Sequence, residues 1–180
     1  HYAVALTLLA LGAVLGYLTS WTESRGATRL SDVLYVAHTT TMVLGFVGTT
    51  VLGTLTVLWP TMLRTKMVDK ALTHSLRALY LMCGGLALTV VGAILGMRPL
   101  AAAGLVAYLV ALLIVAWVMV RTLRTKRPNE YPPMSVGMGF LWLIIGVATT
   151  AYMVATVPFA QLDVRAVTPI FVVGFLLQLL

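Results

Sequence analysis

Residues 100–120 read LAAAGLVAYLVALLIVAWVMV, an apolar run of 21 positions without a charged side chain. A helix of that length rises about 30 Å, which matches the thickness of the hydrocarbon core of a bilayer. The run therefore predicts a helix that spans a membrane.

The composition of the whole chain extends this prediction. Apolar residues make up 61% of the sequence, charged residues make up 9%, and the mean hydropathy is +1.01. In lipid every backbone polar group needs an internal partner, which leaves helices and closed barrels. Barrel strands show about ten residues of alternating apolar and polar side chains, whereas this sequence has long unbroken apolar runs, which favours helices. We therefore predict an all-α polytopic membrane helix bundle that forms one domain over residues 1–180.

Breaks in the apolar pattern divide the chain into six predicted spans, at residues 2–18, 33–59, 71–97, 100–120, 136–158 and 167–180. We place one break at Pro60 and a tight turn at Arg98 and Pro99. The sixth stretch has only 14 residues, too few to cross a core of roughly 30 Å. We therefore expect a fragment of a longer protein whose further helices complete a larger bundle.

Basic residues set the expected topology and partners. The net charge is +7, and the basic residues lie in short clusters beside apolar runs, which favours phospholipid headgroups over nucleic acid. Loops 60–70 and 121–134 carry most of them, whereas the other side has Arg25, Arg29, Arg98 and Arg165. The positive-inside rule then makes both loops cytoplasmic in a multi-pass protein of the cell membrane. Expected partners are lipid, other spans or domains of the same protein and, optionally, a second copy in a homo-oligomer.

Acidic residues are few, and all five lie in or beside loops: Glu23, Asp32, Asp69, Glu130 and Asp163. A transporter that relies on a buried carboxylate therefore gains no support from this sequence. The sequence also lacks a glycine-rich phosphate loop and a zinc-spaced Cys/His set. Any chemistry here requires a cofactor or another domain.

His38 is the candidate functional residue, because an ionisable side chain at membrane depth is costly unless it is paired, hydrated or bound. It begins a series of residues spaced by three or four positions, which places them on one helix face: His38, Thr41, Gly45, Gly48, Thr49 and Gly53. Small residues on such a face allow a neighbouring helix or a flat ligand to approach. Three interpretations of His38 stay open: a structural histidine, a proton relay, and a ligand to haem iron or copper.

Two other histidines are weaker candidates. His74 lies one turn past Lys70 and close to Arg77, so we expect it at the headgroup level, with the arginine snorkelling to the same surface. His1 precedes the first span, and its surroundings depend on residues outside this sequence.

The stretch HTTTMVLGFVG at 38–48, followed by WPTMLRT at 59–65, resembles the second helix of the haem-copper oxidase superfamily. It is most similar to the nitric-oxide-reductase-like and NnrS-like branches, and to the membrane domain that precedes a copper oxidase or nitrite reductase domain in some actinobacteria. The resemblance implies that His38 is an axial haem ligand toward the outer side. The second ligand would then come from beyond Leu180 or from His1.

The same resemblance implies a function in electron transfer or in nitrogen-oxide or oxygen chemistry, as an oxidoreductase or a part of one. The implied cofactor-binding set is His38, Thr41, Gly45, Gly48 and Thr49, with the glycine face giving a porphyrin room. Copper would lie in residues outside this chain, because residues 167–175 contain no histidine where the oxidases carry copper ligands on their sixth helix. The alternative is a non-catalytic membrane anchor or transport scaffold in which His38 is structural.

A short internal similarity also appears. Val173, Gly174 and Phe175 in the sixth stretch match Leu44, Gly45 and Phe46 in the second. The match suggests a duplicated architecture.

Overall fold

The computed structural model describes residues 1–179, except for the side chains of residues 28, 29, 160 and 164, and its regular structure is entirely helical over that range. The elements in chain order are α1 (Tyr2–Ser24), α2 (Thr28–Thr40), a π-helical segment π1 (Thr41–Gly48), α3 (Thr49–Met62), α4 (Ala71–Ile94), α5 (Arg98–Thr125), α6 (Tyr131–Thr156), two 3-10 turns (Phe159–Gln161 and Val164–Ala166), a second π-helical segment π2 (Ile170–Leu176) and α7 (Leu177–Leu179). We refer to α2, π1 and α3 together as the second span.

Five helices are long and apolar enough to cross a membrane. The second of these runs without interruption over Leu30–Met62, and the short apolar helix Ile170–Leu179 follows the fifth. The prediction of an all-α polytopic membrane bundle is confirmed. The sixth predicted span is short in the structure as well, and its final residue, Leu180, lies outside the described range.

The helix ends differ from the predicted span limits. α1 continues past residue 18 to Ser24, and α5 extends from Arg98 to Thr125. The turn before α5 is formed by residues 95–97, where Gly96 has a φ of +69°, a left-handed conformation that suits glycine. Pro99 instead lies in the first turn of α5, where a missing N–H costs little. Hydropathy locates the apolar part of a helix, while its polar end turns continue beyond it.

Pro60 does not end the second span as predicted. It is buried inside α3, which continues to Met62. Proline cannot donate the hydrogen bond to the Thr56 carbonyl one turn earlier, so its effect falls on the turn before it, and the helix still continues for two residues.

The two loops predicted to share one side of the membrane do meet. Arg64 and Glu130 form an ion pair at 2.9 Å between loop 60–70 and loop 121–134. Both side chains are largely exposed, so the pair contributes little to stability. It nevertheless shows that the loops lie at the same end of the bundle.

α4 and α5 form a hairpin whose backbones touch through small residues. A Cβ built at Gly85 would lie 2.6 Å from the carbonyl oxygen of Gly104, and one built at Gly92 would overlap the backbone of Ala101. This is the close approach that small residues permit between membrane helices. Gly85 and Gly92 therefore pack α4 directly against α5.

The two π-helical segments coincide with the internal sequence similarity. Each contains a Gly-Phe pair at the same position, Gly45-Phe46 in π1 and Gly174-Phe175 in π2, so that residues 41–47 align with residues 170–176. π-winding is rare and often marks functional sites. The similarity between the two stretches thus extends from sequence to backbone winding.

A groove of about 120 Å³ separates the two π-helical segments. It is mostly apolar, with threonine side chains among its walls, and α6 contributes one residue. Its lining consists of Thr39, Thr40, Val43, Leu44, Val47, Thr150, Val167, Thr168, Phe171, Val172 and Leu176. His38 is not part of this lining, because it lies on another side of the second span.

Candidate functional site

The His38 side chain extends from the second span to α1, where it contacts two glycines. Its Nδ1 is 2.8 Å from the carbonyl oxygen of Gly12. The ring covers Gly16, where a built Cβ would lie 2.8 Å from the His38 Cε1. The Met42 side chain fills the corresponding space over Gly12. The absence of side chains at Gly12 and Gly16 is therefore what allows the imidazole to reach the α1 backbone.

The contact with Gly12 places a proton on Nδ1 of the His38 ring. A carbonyl oxygen only accepts hydrogen bonds, so Nδ1 carries the proton and donates it. In the neutral imidazole Nε2 then holds a free lone pair. Nε2 has no hydrogen-bond partner in the described part of the chain. Unlike the His1 Nδ1 and the Thr41 hydroxyl, which also lack a partner, it is not fully buried. His38 therefore presents an accessible lone pair at the edge of a half-buried ring.

An imidazole whose Nδ1–H is held by a backbone carbonyl is the arrangement that orients metal-ligating histidines in proteins. It fixes the ring plane and directs Nε2 toward the metal. The geometry of His38 is suited to one coordination bond through Nε2. The same geometry is equally suited to a histidine whose only role is to pack two helices together.

The other residues of the predicted cofactor face are buried against protein. A Cβ at Gly45 would lie 2.9 Å from the Leu86 Cδ2 and 3.4 Å from the Leu8 Cδ1. Thr49 is buried and donates a hydrogen bond to the Gly45 carbonyl one turn earlier. Side chains from α1 and α4 thus occupy the space that we expected a flat ligand to use at Gly45.

Gly48 is occupied in the same way by Tyr108 of α5. The Tyr108 hydroxyl lies directly over Gly48 and donates a hydrogen bond of 2.8 Å to the Leu44 carbonyl oxygen within π1. Tyr108 is 1% exposed. The Gly45 and Gly48 positions therefore leave no room for a porphyrin in this arrangement.

Thr41 is the exception on this face. It is fully buried at the start of π1, next to Gly12, and its hydroxyl has no hydrogen-bond partner among the described atoms. A buried hydroxyl without a partner costs roughly 1–3 kcal/mol. Thr41 therefore has an unused donor and acceptor beside the His38 site.

His1 takes part in a separate polar chain near the other end of α1. Its Nε2 lies 3.0 Å from the Ser75 Oγ, which lies 2.8 Å from the Thr56 Oγ1. Thr56 donates its only proton to the Leu52 carbonyl, so Ser75 must donate to Thr56 and His1 must donate to Ser75. The remaining ring nitrogen of His1, Nδ1, is buried without a partner.

The two histidines are too far apart to ligate one metal. The His1 ring packs over Gly53, whereas His38 lies 15 positions earlier on the same span, a separation of about 22 Å along a helix. Ligand atoms must approach a metal to about 2–2.3 Å. His1 therefore cannot supply the second axial ligand, which was one of the two sources that the resemblance implied.

His74 lies near the start of α4. Its half-buried ring meets Trp117 of α5 edge to face, with ring centroids 5.1 Å apart. This contact is remote from His38. Over the described residues no group of three or more His, Cys, Asp and Glu side chains is placed to hold a metal ion.

Sequence reasoning missed Gly12 and Gly16, although both are visible as two glycines four positions apart in the first apolar run. It also missed Tyr108, whose partner is a backbone carbonyl and thus leaves no sequence signal. Comparison of the chain with protein-family models, curated proteins and solved structures finds no match.

Proposed function

We propose that this chain is a haem-binding domain of the cell membrane that functions in electron transfer or in nitrogen-oxide or oxygen chemistry. His38 would hold the haem iron through Nε2. The observation that carries the proposal is the hydrogen bond from the His38 Nδ1 to the Gly12 carbonyl, because it leaves Nε2 as an oriented and unoccupied lone pair. A bound haem would supply a one-electron redox couple or a site for a diatomic ligand.

The residues around His38 have defined roles in this proposal. Gly12 holds the ring through its carbonyl, and Gly16 gives the ring its place against α1. Because the Gly45 and Gly48 positions are filled, this chain would meet a haem only at the Nε2 edge of His38. The proposal assigns the second ligand, and any copper centre of an oxidase or nitrite reductase domain, to residues outside 1–180.

The proposed topology follows from the distribution of charge. With loops 60–70 and 121–134 in the cytoplasm, His38 lies toward the outer end of the second span. A haem at that depth is positioned to exchange electrons with a domain outside the membrane.

A second candidate function is a membrane anchor or transport scaffold in which His38 only joins α1 to the second span. The observation that favours it is the close packing of Leu8, Leu86 and Tyr108 against the glycines of the predicted cofactor face. In that case Nε2 bonds to water or to a neighbouring segment.

An absorption spectrum of the purified full-length protein, before and after dithionite, distinguishes the two candidates. The haem proposal predicts a Soret band and reduced-haem bands that are lost in His38→Ala and retained in His74→Ala. The histidine at position 74 is a matched control because it is also half-buried and lies at the opposite end of the bundle. A cofactor-replete preparation without a Soret band would overturn the haem proposal and favour the scaffold.

A further inference from the structure

A cluster of cationic and aromatic side chains lies where α4 begins and α5 ends. The Arg121 guanidinium carbon is 4.7 Å from the centroid of the Trp117 ring, and His74 meets the same ring edge to face. Trp117 is 48% exposed on the outside of the bundle. We call these residues, together with Arg77, the α4/α5 cluster.

Arg77 belongs to the cluster because of the hairpin register. The contacts between Gly92 and Ala101, and between Gly85 and the Tyr108 backbone, define an antiparallel pairing of α4 with α5. When this pairing is continued toward the loops, Arg77 lies level with residues 116 and 117. It also follows His74 by three positions, which places both on neighbouring parts of one helix face. By the same pairing Arg121 lies level with residue 72, about 7.5 Å further toward the loops than Arg77, and its guanidinium reaches back over Trp117.

No carboxylate pairs with the cluster in the described part of the chain, although Asp69 lies two positions before α4. α4 and α5 contain no acidic residue. Within the described part of the chain, the ion pair is Arg64 with Glu130, and neither Arg77 nor Arg121 contacts a carboxylate. Both arginines are exposed. A surface with two unpaired guanidinium groups at the edge of a membrane span is electrostatically complementary to an anion at the bilayer interface.

We infer that the α4/α5 cluster binds the headgroup of an anionic phospholipid. Guanidinium groups pair with phosphate oxygens in two-point hydrogen bonds, and basic sites between membrane helices bind such headgroups. Trp117 lies one turn inward of Arg121, at the depth where tryptophan rings favour the interface. The phosphate would therefore lie between Arg77 and Arg121, with the acyl chains along the exposed apolar faces of α4 and α5.

The opposite end of the bundle provides a matched comparison. Arg25 lies over Trp21 of α1 with a guanidinium-to-ring distance of 4.6 Å, nearly the same contact as in the cluster. Glu23, however, is close by in sequence, and no histidine joins the pair in the described structure. Arg25 thus reproduces the cation–aromatic contact with an acidic neighbour in sequence.

The test measures retention of phosphatidylglycerol against phosphatidylcholine by the full-length protein, by native mass spectrometry from detergent with both lipids present. The wild type should retain phosphatidylglycerol preferentially. Replacing both arginines, Arg77→Gln with Arg121→Gln, should weaken that retention roughly 30-fold, as expected for the loss of two interfacial basic residues. Arg25→Gln should leave it unchanged. A further arm with glycerol phosphate distinguishes a lipid from a free phosphate, and it should compete poorly because it lacks acyl chains.

Equal retention of both lipids by the wild type would overturn the inference. An equal loss in Arg25→Gln would also overturn it, because general surface charge would then explain the binding. Efficient competition by glycerol phosphate would assign the cluster to a soluble anion instead. The cluster residues are distant from His38, so the result does not depend on the haem proposal. Circular dichroism of each variant confirms that the helices are intact.

Discussion

Gly16→Ala tests how α1 holds His38. The added Cβ would lie 2.8 Å from the His38 Cε1 and 3.0 Å from Nδ1. Carbon atoms prefer a separation of about 3.5 Å or more, so the ring must retreat by roughly 0.7 Å. Because the Gly12 carbonyl lies on the same helix, the retreat lengthens the 2.8 Å hydrogen bond toward about 3.5 Å, beyond useful hydrogen-bond range.

Losing that hydrogen bond should cost about 1 kcal/mol of stability. The loss opposes the gain of roughly 0.5–1 kcal/mol that alanine normally gives over glycine in a helix. Gly84→Ala is the control, since a Cβ at this helical glycine meets no protein atom within 4 Å. Because both variants share this helix gain, we expect Gly16→Ala to be less stable than Gly84→Ala by about 1 kcal/mol.

Thermal unfolding in detergent micelles measures this difference. In a haem-replete preparation the affinity for haem should also fall, by about 10- to 100-fold, as observed when the group that orients a metal-binding histidine is lost. If Gly16→Ala matches Gly84→Ala in stability and haem content, His38 is not held against α1 as described.

Two further substitutions test the interior around π1. Tyr108→Phe removes the hydrogen bond to the Leu44 carbonyl and should destabilise the protein by roughly 1 kcal/mol in thermal unfolding. Tyr80→Phe is the control and should have no effect, because the Tyr80 side chain is 74% exposed. Equal stability of the two variants would contradict the reasoning. Thr41→Val removes a buried hydroxyl without a partner and should raise the stability of the cofactor-free protein by about 1–3 kcal/mol. Its control, Thr49→Val, removes a hydroxyl that donates to Gly45 and should lower stability; a loss of stability in Thr41→Val would mean that its hydroxyl has a partner.

The fold class was predictable because uncharged runs as long as residues 100–120 have few alternatives to membrane helices. The helix ends were less predictable, because the turns up to Ser24 and Thr125 are polar and still satisfy the backbone. The π-winding of residues 41–48 was not predictable either, since it depends on how the span packs against its neighbours. Only the Gly-Phe similarity hinted that both segments share a conformation.

The sequence predicted which residues of the candidate site share one helix face, but it did not predict which side chains of other helices fill the space beside that face. The three- and four-residue spacing correctly placed Thr41, Gly45 and Gly48 together on a buried side of the second span. What fills that side comes from Leu8, Leu86 and Tyr108 on three other helices, and helix periodicity does not identify neighbours. The glycines that position His38 were outside the predicted set because they lie on its partner helix.

The most direct test of the central claim replaces His38 with glycine in the full-length protein and adds imidazole. His38→Gly should lose the reduced-haem bands, and free imidazole should restore them, since the notch against Gly12 and Gly16 then has space for the added ring. His74→Gly with imidazole should show no change at either step. Reduced-haem bands that persist in His38→Gly without imidazole, or a wild type without such bands, would contradict the assignment of His38 as the haem ligand.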